Sequence, residues 1–220
     1  MQRSVTIRSG GRDDIGQSCQ RAGAERWIRR GLRPALWLLV VLPAPVLAAR
    51  LLLDQLGANP IEELEHATGG WALRFLIASL AVTPLLRLTG WGWLVRERRF
   101  LGLAAFAWTV IHLSVYTVVD WFFDWSEIWK DIRKHLYITL GMLAFVLLVP
   151  LALTSTQGAI RRLGGGRWRS LHRLVYVAVL AGCLHYLWAV KQDITMPVVY
   201  ASVTVALLAT RGMQRRRPTV

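Results

Sequence analysis

The chain has 220 residues, 54% of them hydrophobic, and carries a formal net charge of +14. A soluble domain of that length could not hide so much apolar surface, and a nucleic-acid binder would not place its arginines between apolar runs of about 20 residues. What remains is an all-α, polytopic membrane helix bundle.

Residues 1–33 are polar, basic and glycine-containing, without the apolar stretch of a cleavable signal peptide, and are expected to form a disordered cytoplasmic tail. Residues 34–210 form the transmembrane domain. A crossing takes about 20 helical residues, because irregular backbone facing lipid would leave its polar groups unpaired. About six segments qualify, roughly 35–53, 71–88, 100–119, 136–154, 171–190 and 197–210. Pro43, Pro45 and Arg50 interrupt the first, and the sixth is only just long enough. Residues 211–220 make a second basic tail. Most of the tryptophans stand near the ends of apolar runs, where an amphipathic ring settles at headgroup level. Cys19 in the polar tail and Cys183 in an apolar run cannot make a disulfide framework or a metal cluster. Gly164, Gly165 and Gly166 are expected to be a flexible connector; without a preceding strand they are no phosphate loop.

Orientation follows from the basic residues, which resist translocation. Twenty arginines fall in the N-terminal tail, the second-to-third and fourth-to-fifth connections and the C-terminus. The opposite side holds Lys130, Arg133, Lys134 and Lys191 among nine acidic residues. Both termini are therefore expected in the cytoplasm. The charge needs no nucleic-acid partner to explain it.

An ionisable side chain inside a span points to function by default. His112 lies ~18 Å into the third span and His185 ~21 Å into the fifth at 1.5 Å per residue, counted from the cytoplasmic side. The two helices run in the same direction, so both imidazoles reach nearly one depth. Two neutral imidazoles at one level suit the axial positions of a b-type haem. Ala178, Ala181, Gly182 and Ala189 near His185, and Ala105 near His112, leave room for a porphyrin. The alternative is that small residues allow tight helix packing and each histidine hydrogen-bonds a neighbour. His172 stands at the cytoplasmic start of the fifth span, but thirteen residues from His185 turn the two side chains ~140° apart, so a second haem does not follow from spacing. Arg98, Arg99, Arg167, Arg169 and Arg173 gather at that side and suit propionates or a flavin phosphate, or form an ordinary positive-inside cluster. His66 and His135 are expected in or beside outer loops, as surface residues. The stretch from Asp120 to Trp129 offers aromatic anchors for a partner, or an interfacial helix lying on the membrane lipid.

Three stretches, Arg98 to Tyr116, Leu151 to Tyr176 and His185 to Lys191, together with Glu65 to Gly69, resemble the MsrQ family. Its members are haem-binding membrane subunits of periplasmic methionine-sulfoxide reductases, within the ferric-reductase-like transmembrane group. The resemblance runs from about residue 60 to 210. It implies one haem b between His112 and His185, and it makes His172 match one ligand of an inner haem whose partner position is held by Arg98. A second haem near His172 is thereby left open. It further implies FMN near the cytoplasmic arginines and an MsrP-type periplasmic molybdenum-cofactor reductase as partner. Electrons would come from the quinol pool or a cytosolic flavin reductase, at the bacterial inner membrane. The chain carries no nucleotide-binding module and no molybdenum chemistry of its own, so it is expected to be an electron-transfer subunit. Competing readings are a quinone-linked cytochrome b or ferric reductase with another acceptor, and a cofactor-free transporter or assembly scaffold.

Overall fold

The structure, a computed structural model, describes residues 28, 30–190 and 193–215. The basic tail expected over residues 1–33 therefore falls almost wholly outside the described residues, as does the end of the C-terminal tail. Among the described residues all regular structure is helical.

Two compact units divide the chain at Leu53. The first holds α1 (Arg30–Leu52), apolar and long enough to cross a membrane. Its prolines do not stop it. Leu42 keeps helical dihedrals, its N–H still reaches the Leu38 carbonyl at 2.8 Å, and Pro43 takes a first-turn position where no donor is missed.

The second unit begins at Asp54 and carries the remaining helices. Helix α2 (Pro60–Thr89) starts well before the apolar run that announces it. Asn59 accepts from the Glu62 N–H at 3.4 Å, Pro60 fills the first position, and Glu62 and Glu63 lie against the positive end of the helix dipole. Glu65 and His66 consequently stand on a membrane helix, whereas the sequence placed His66 in or beside a loop. At its far end Gly90 adopts φ +72°, a left-handed stop that a Cβ would strain.

Helix α3 (Leu94–Ser114) starts earlier than expected, so Arg98 and Arg99 belong to its first turns. It runs on through a π-helical turn, Val115–Asp120, a feature common at functional sites. After a tight bend with Phe122 and Phe123 at positive φ comes α4 (Trp125–Lys134), capped by Asp124, which accepts from the Ser126 and Glu127 N–H groups at 3.0 and 3.1 Å. One residue, His135, separates α4 from α5 (Leu136–Leu153). Two short helices follow, α6 (Gln157–Leu163) and α7 (Gly165–Leu171), joined by Gly164 at φ +75°. The glycine run is thus a cap and a helix start, not a loose connector. The chain turns at His172 and Arg173 into α8 (Leu174–Ala189) and ends with α9 (Thr195–Arg215).

Among the described residues five stretches are long and apolar enough to cross a membrane: Arg30–Leu52, Pro60–Thr89, Leu94–Asp120, Leu136–Leu153 and Gly165–Ala189. The apolar part of α9, Thr195–Arg211, is shorter. The chain is a multi-pass membrane protein. Within the second unit α2 packs on α3, α5 packs on α8, and α9 lies against α8 and α2. Ala105 and Ala178 are fully enclosed, because residues without a long side chain let the helix backbones approach. The alternation of the helices sorts charge to two ends. Glu62, Glu65, Asp120 and Asp131 mark an acidic end; Arg98, Arg99, Arg167, Arg169 and Arg173 mark a basic one.

Candidate functional site

Four helices of the second unit, α2, α3, α5 and α8, enclose a cavity of about 480 Å³, within the usual size for a cofactor site. His112 of α3 and His185 of α8 enter it from opposite helix pairs, with ring centres 6.1 Å apart and ring planes inclined at 68°. That separation has a chemical meaning. A metal–nitrogen bond is about 2 Å and a ring centre lies about 1 Å behind its nitrogen, so two imidazoles on opposite sides of one ion stand about 6 Å apart.

Each histidine is braced by its own neighbour. Behind His112 lies α2, where a Cβ on Gly69 would come within 3.2 Å of the ring. Thr68 gives its hydroxyl proton to the Leu64 carbonyl at 2.7 Å, which leaves its oxygen to accept from the His112 Nδ1–H at 3.2 Å. Behind His185 lies α5, where a Cβ on Gly141 would stand 2.9 Å from Nδ1, closer than real contacts allow. The His185 Nδ1–H donates to the Tyr137 carbonyl at 2.7 Å. With both Nδ1 atoms acting as donors, each ring is held in the tautomer whose Nε2 carries a lone pair. Among the described residues neither Nε2 takes part in a hydrogen bond. The two imidazoles, each held through its Nδ1, thus approach one another within the cavity.

The cavity is apolar toward the basic end, where Leu73, Leu76, Phe145 and Leu148 line it, and polar toward the acidic end, with Glu65, His66, Asp120 and Asp131. Ala178, Gly182 and Ala189 line it as their small size suggested, whereas Ala105 and Ala181 are buried and do not line it. At the polar mouth Asp131 of α4 accepts from the Tyr116 hydroxyl at 2.8 Å and pairs with the His135 Nδ1 at 2.6 Å, tying the ends of α3 and α5 to the short helix. His135 is half-buried in this contact. One carboxylate oxygen of Glu65 is buried without a hydrogen-bond partner.

His172 does not reach the cavity. Thr154 donates its hydroxyl proton to the Pro150 carbonyl at 2.6 Å and lies 3.1 Å from the His172 Nε2, while Trp168 stacks on the ring at 4.0 Å and donates to the Thr154 carbonyl at 3.0 Å. The Arg98 guanidinium is near enough for its charge to act on His172. Arg99, Arg167, Arg169 and Arg173 are exposed at the same end of the unit and do not line the cavity. Of the residues singled out in the sequence, then, the structure brings His112 and His185 together and sets His172 and the arginines apart from them. Sequence reasoning missed Thr68, Gly69, Tyr137 and Gly141. Thr68 and Gly69 fell within the Glu65 to Gly69 stretch that carries the resemblance, but the role of all four becomes readable only once the helices are paired.

Comparison with known proteins agrees with this architecture. The family of ferric reductase like transmembrane components matches residues 68–183, a stretch that includes both Gly69 and His112 and stops two residues before His185. The chain belongs to that transmembrane family. Over 188 residues it is 50% identical to the protein-methionine-sulfoxide reductase haem-binding subunit MsrQ of Rhodospirillum rubrum, covering 84% of this chain and 90% of the relative. The MsrQ subunits of Azospira oryzae, 50% identical over 84% of this chain and 80% of their own, and of Caulobacter vibrioides, 48% identical over 82% and 86%, match as extensively. Within the wider family, the chain belongs to the MsrQ group.

Proposed function

We propose that this chain is a membrane b-type cytochrome subunit of the bacterial inner membrane. It passes electrons from the quinol pool, or from a cytosolic flavin reductase, to a periplasmic MsrP-type molybdenum-cofactor enzyme that repairs methionine sulfoxide in envelope proteins. The observation that carries the reading is the His112–His185 pair, 6.1 Å between ring centres, with each Nδ1 bonded and each Nε2 outside any hydrogen bond among the described residues.

Haem b fits these residues. The separation suits one iron between the two nitrogens, the cavity accepts a tetrapyrrole, and glycine at 69 and 141 lets the neighbouring helices close behind the rings. His112 and His185 would hold the haem, and when bound it would supply one-electron exchange. The chain's own residues do the rest. Thr68 and Tyr137 orient the ligands, and Leu73, Leu76, Phe145 and Leu148 exclude water from the basic-end side of the cavity. The basic end is assigned to the cytoplasm, since arginines resist translocation. There His172, Arg98, Arg99, Arg167, Arg169 and Arg173 form the surface at which a donor or FMN would engage; the guanidinium forks suit phosphate oxygens. His172, hydrogen-bonded to Thr154 and stacked on Trp168, belongs to this entry surface. The acidic end faces the periplasmic partner.

A second reading has one observation in its favour. The acidic mouth formed by Glu62, Glu65, Asp120 and Asp131 would also attract a cationic acceptor such as ferric iron. Purification of the chain with pyridine haemochrome analysis, flavin fluorescence and a reduced-minus-oxidised spectrum tests the proposal. One bound low-spin haem, re-oxidised by the copurifying molybdenum enzyme and not by chelated ferric iron, is the expected outcome. A colourless protein would sink it, and re-oxidation by iron alone would favour the second reading.

A further inference from the structure

A haem brings two propionate carboxylates as well as an iron, and they must end somewhere. The apolar end of the cavity gives them no hydrogen-bond donor, and burying a carboxylate there would be prohibitive. They must therefore leave through the polar mouth. Here the structure holds a difficulty, because Glu62, Glu65, Asp120 and Asp131 line that mouth while no lysine or arginine is among the described residues that line the cavity. Donors are few. The Tyr116 hydroxyl is already given to Asp131 at 2.8 Å, and one N–H of the Asn59 amide to Glu62 at 2.9 Å, where that carboxylate would repel a second anion.

Among the described lining residues donors remain in the Tyr186 hydroxyl, whose ring stacks on Tyr200, and in two residues that border the histidine pair. His66 lies on α2 one turn from Gly69 and Gly70, on the same helical face, so it borders the cavity just beyond the level of His112. Tyr137, whose carbonyl braces His185, sets its ring 6.1 Å from that of His185 and also lines the cavity. Among the described residues neither the His66 ring nor the Tyr137 hydroxyl has a hydrogen-bond partner.

We propose that His66 and the Tyr137 hydroxyl receive the propionates of the haem at the acidic end of the cavity, and so fix which way round the macrocycle sits. The proposal rests on the haem reading above. His66 is a binding residue here, not an iron ligand, and an imidazole N–H suffices for the role. A carboxamide should replace it and a methyl group should not.

The test uses the full-length chain in nanodiscs, loaded either with iron protoporphyrin IX or with its dimethyl ester, which has no carboxylate to receive. Loss of the group to excess apomyoglobin is followed by absorbance, and the axial set by low-temperature EPR. With the free acid, His66→Ala should lose haem about ten- to a hundredfold faster than the parent, as expected for one hydrogen bond to a charged group, and Tyr137→Phe should be faster in the same direction. His66→Gln should stay near the parent rate. The low-spin signal of the two axial imidazoles should be unchanged in all three. With the dimethyl ester the variants and the parent should lose the group at one common rate. Equal rates for parent and His66→Ala with the free acid would overturn the proposal, as would a difference that persists with the ester. If His66→Ala fails to insert, the parent alone decides: holding the ester as firmly as the free acid would refute it. Loss of the axial signal in His66→Ala would make His66 a ligand and refute it too. A parent that binds neither form would instead refute the haem reading itself.

Discussion

At the scale of single residues, the site is defined as much by what supports the histidines as by the histidines. A methyl group on Gly141 would press on His185 at 2.9 Å from Nδ1 and 3.0 Å from Cε1, whereas one on Gly69 would meet His112 no closer than 3.2 Å. Gly141→Ala should therefore reduce haem occupancy strongly and Gly69→Ala mildly, an ordering that haem-to-protein ratios will check. Thr68→Val keeps the shape and removes the acceptor for the His112 Nδ1–H, so haem affinity should fall about ten- to a hundredfold, as is usual when a ligand's supporting hydrogen bond is lost. Titration with haem measures it. His112→Ala and His185→Ala should each abolish the same low-spin signal; full retention in either would contradict the pairing. The two histidines were legible in the sequence because an ionisable group inside an apolar run is conspicuous and depth can be counted at a fixed rise per residue. Thr68 and Gly141 were not, since a threonine and a glycine within a membrane helix have many uses and only contact reveals this one.

At the scale of elements, helix starts were the least legible feature. Hydropathy marks where a helix enters lipid, but a cap marks where it begins, and Asn59 with Pro60 begins α2 far enough upstream to bring Glu65 and His66 to the cavity. The short helix α4 was legible as an alternative between a docking segment and an interfacial helix. Ile128 is buried against the unit, Trp125 and Trp129 are exposed on the adjoining side, and Lys130 and Lys134 lie opposite. With a single residue joining it to α5, α4 cannot stand far from the membrane surface. Nitroxide labels at positions 125 and 129 should be reached by oxygen dissolved in lipid, and labels at 130 and 134 by a water-soluble nickel complex; the reverse pattern would assign the tryptophans to a protein partner. His172, at the turn between α7 and α8, is held by Thr154 and Trp168 outside the cavity. His172→Ala should slow reduction by the donor while the His112–His185 haem signal stays intact, and loss of all haem in a folded variant would show that the two ends are not separate.

At the scale of the whole molecule, charge distribution and span lengths made the class legible from composition, while the grouping of α2 with α3 and of α5 with α8 was not, because every apolar face in lipid looks alike to hydropathy. At the basic end Arg98 and Arg99 stand in the first turns of α3 and not in the loop before it, and the proposed donor surface includes them. Arg98→Gln combined with Arg99→Gln should lower flavin content or quinol-dependent reduction, provided accessibility labelling first shows that insertion is unchanged. Normal donor kinetics in a correctly inserted double variant would remove these arginines from the entry surface.

The bracing of each imidazole from within its own helical hairpin has a consequence for how the protein can be divided. One hairpin owns His112 with Thr68 and Gly69, and the other owns His185 with Tyr137 and Gly141, so the covalent link between them acts mainly as a tether. A polypeptide severed at Phe123 and produced as two coexpressed pieces should reunite in the bilayer and turn red, while either piece by itself, possessing a single jaw of the clamp, should stay pale.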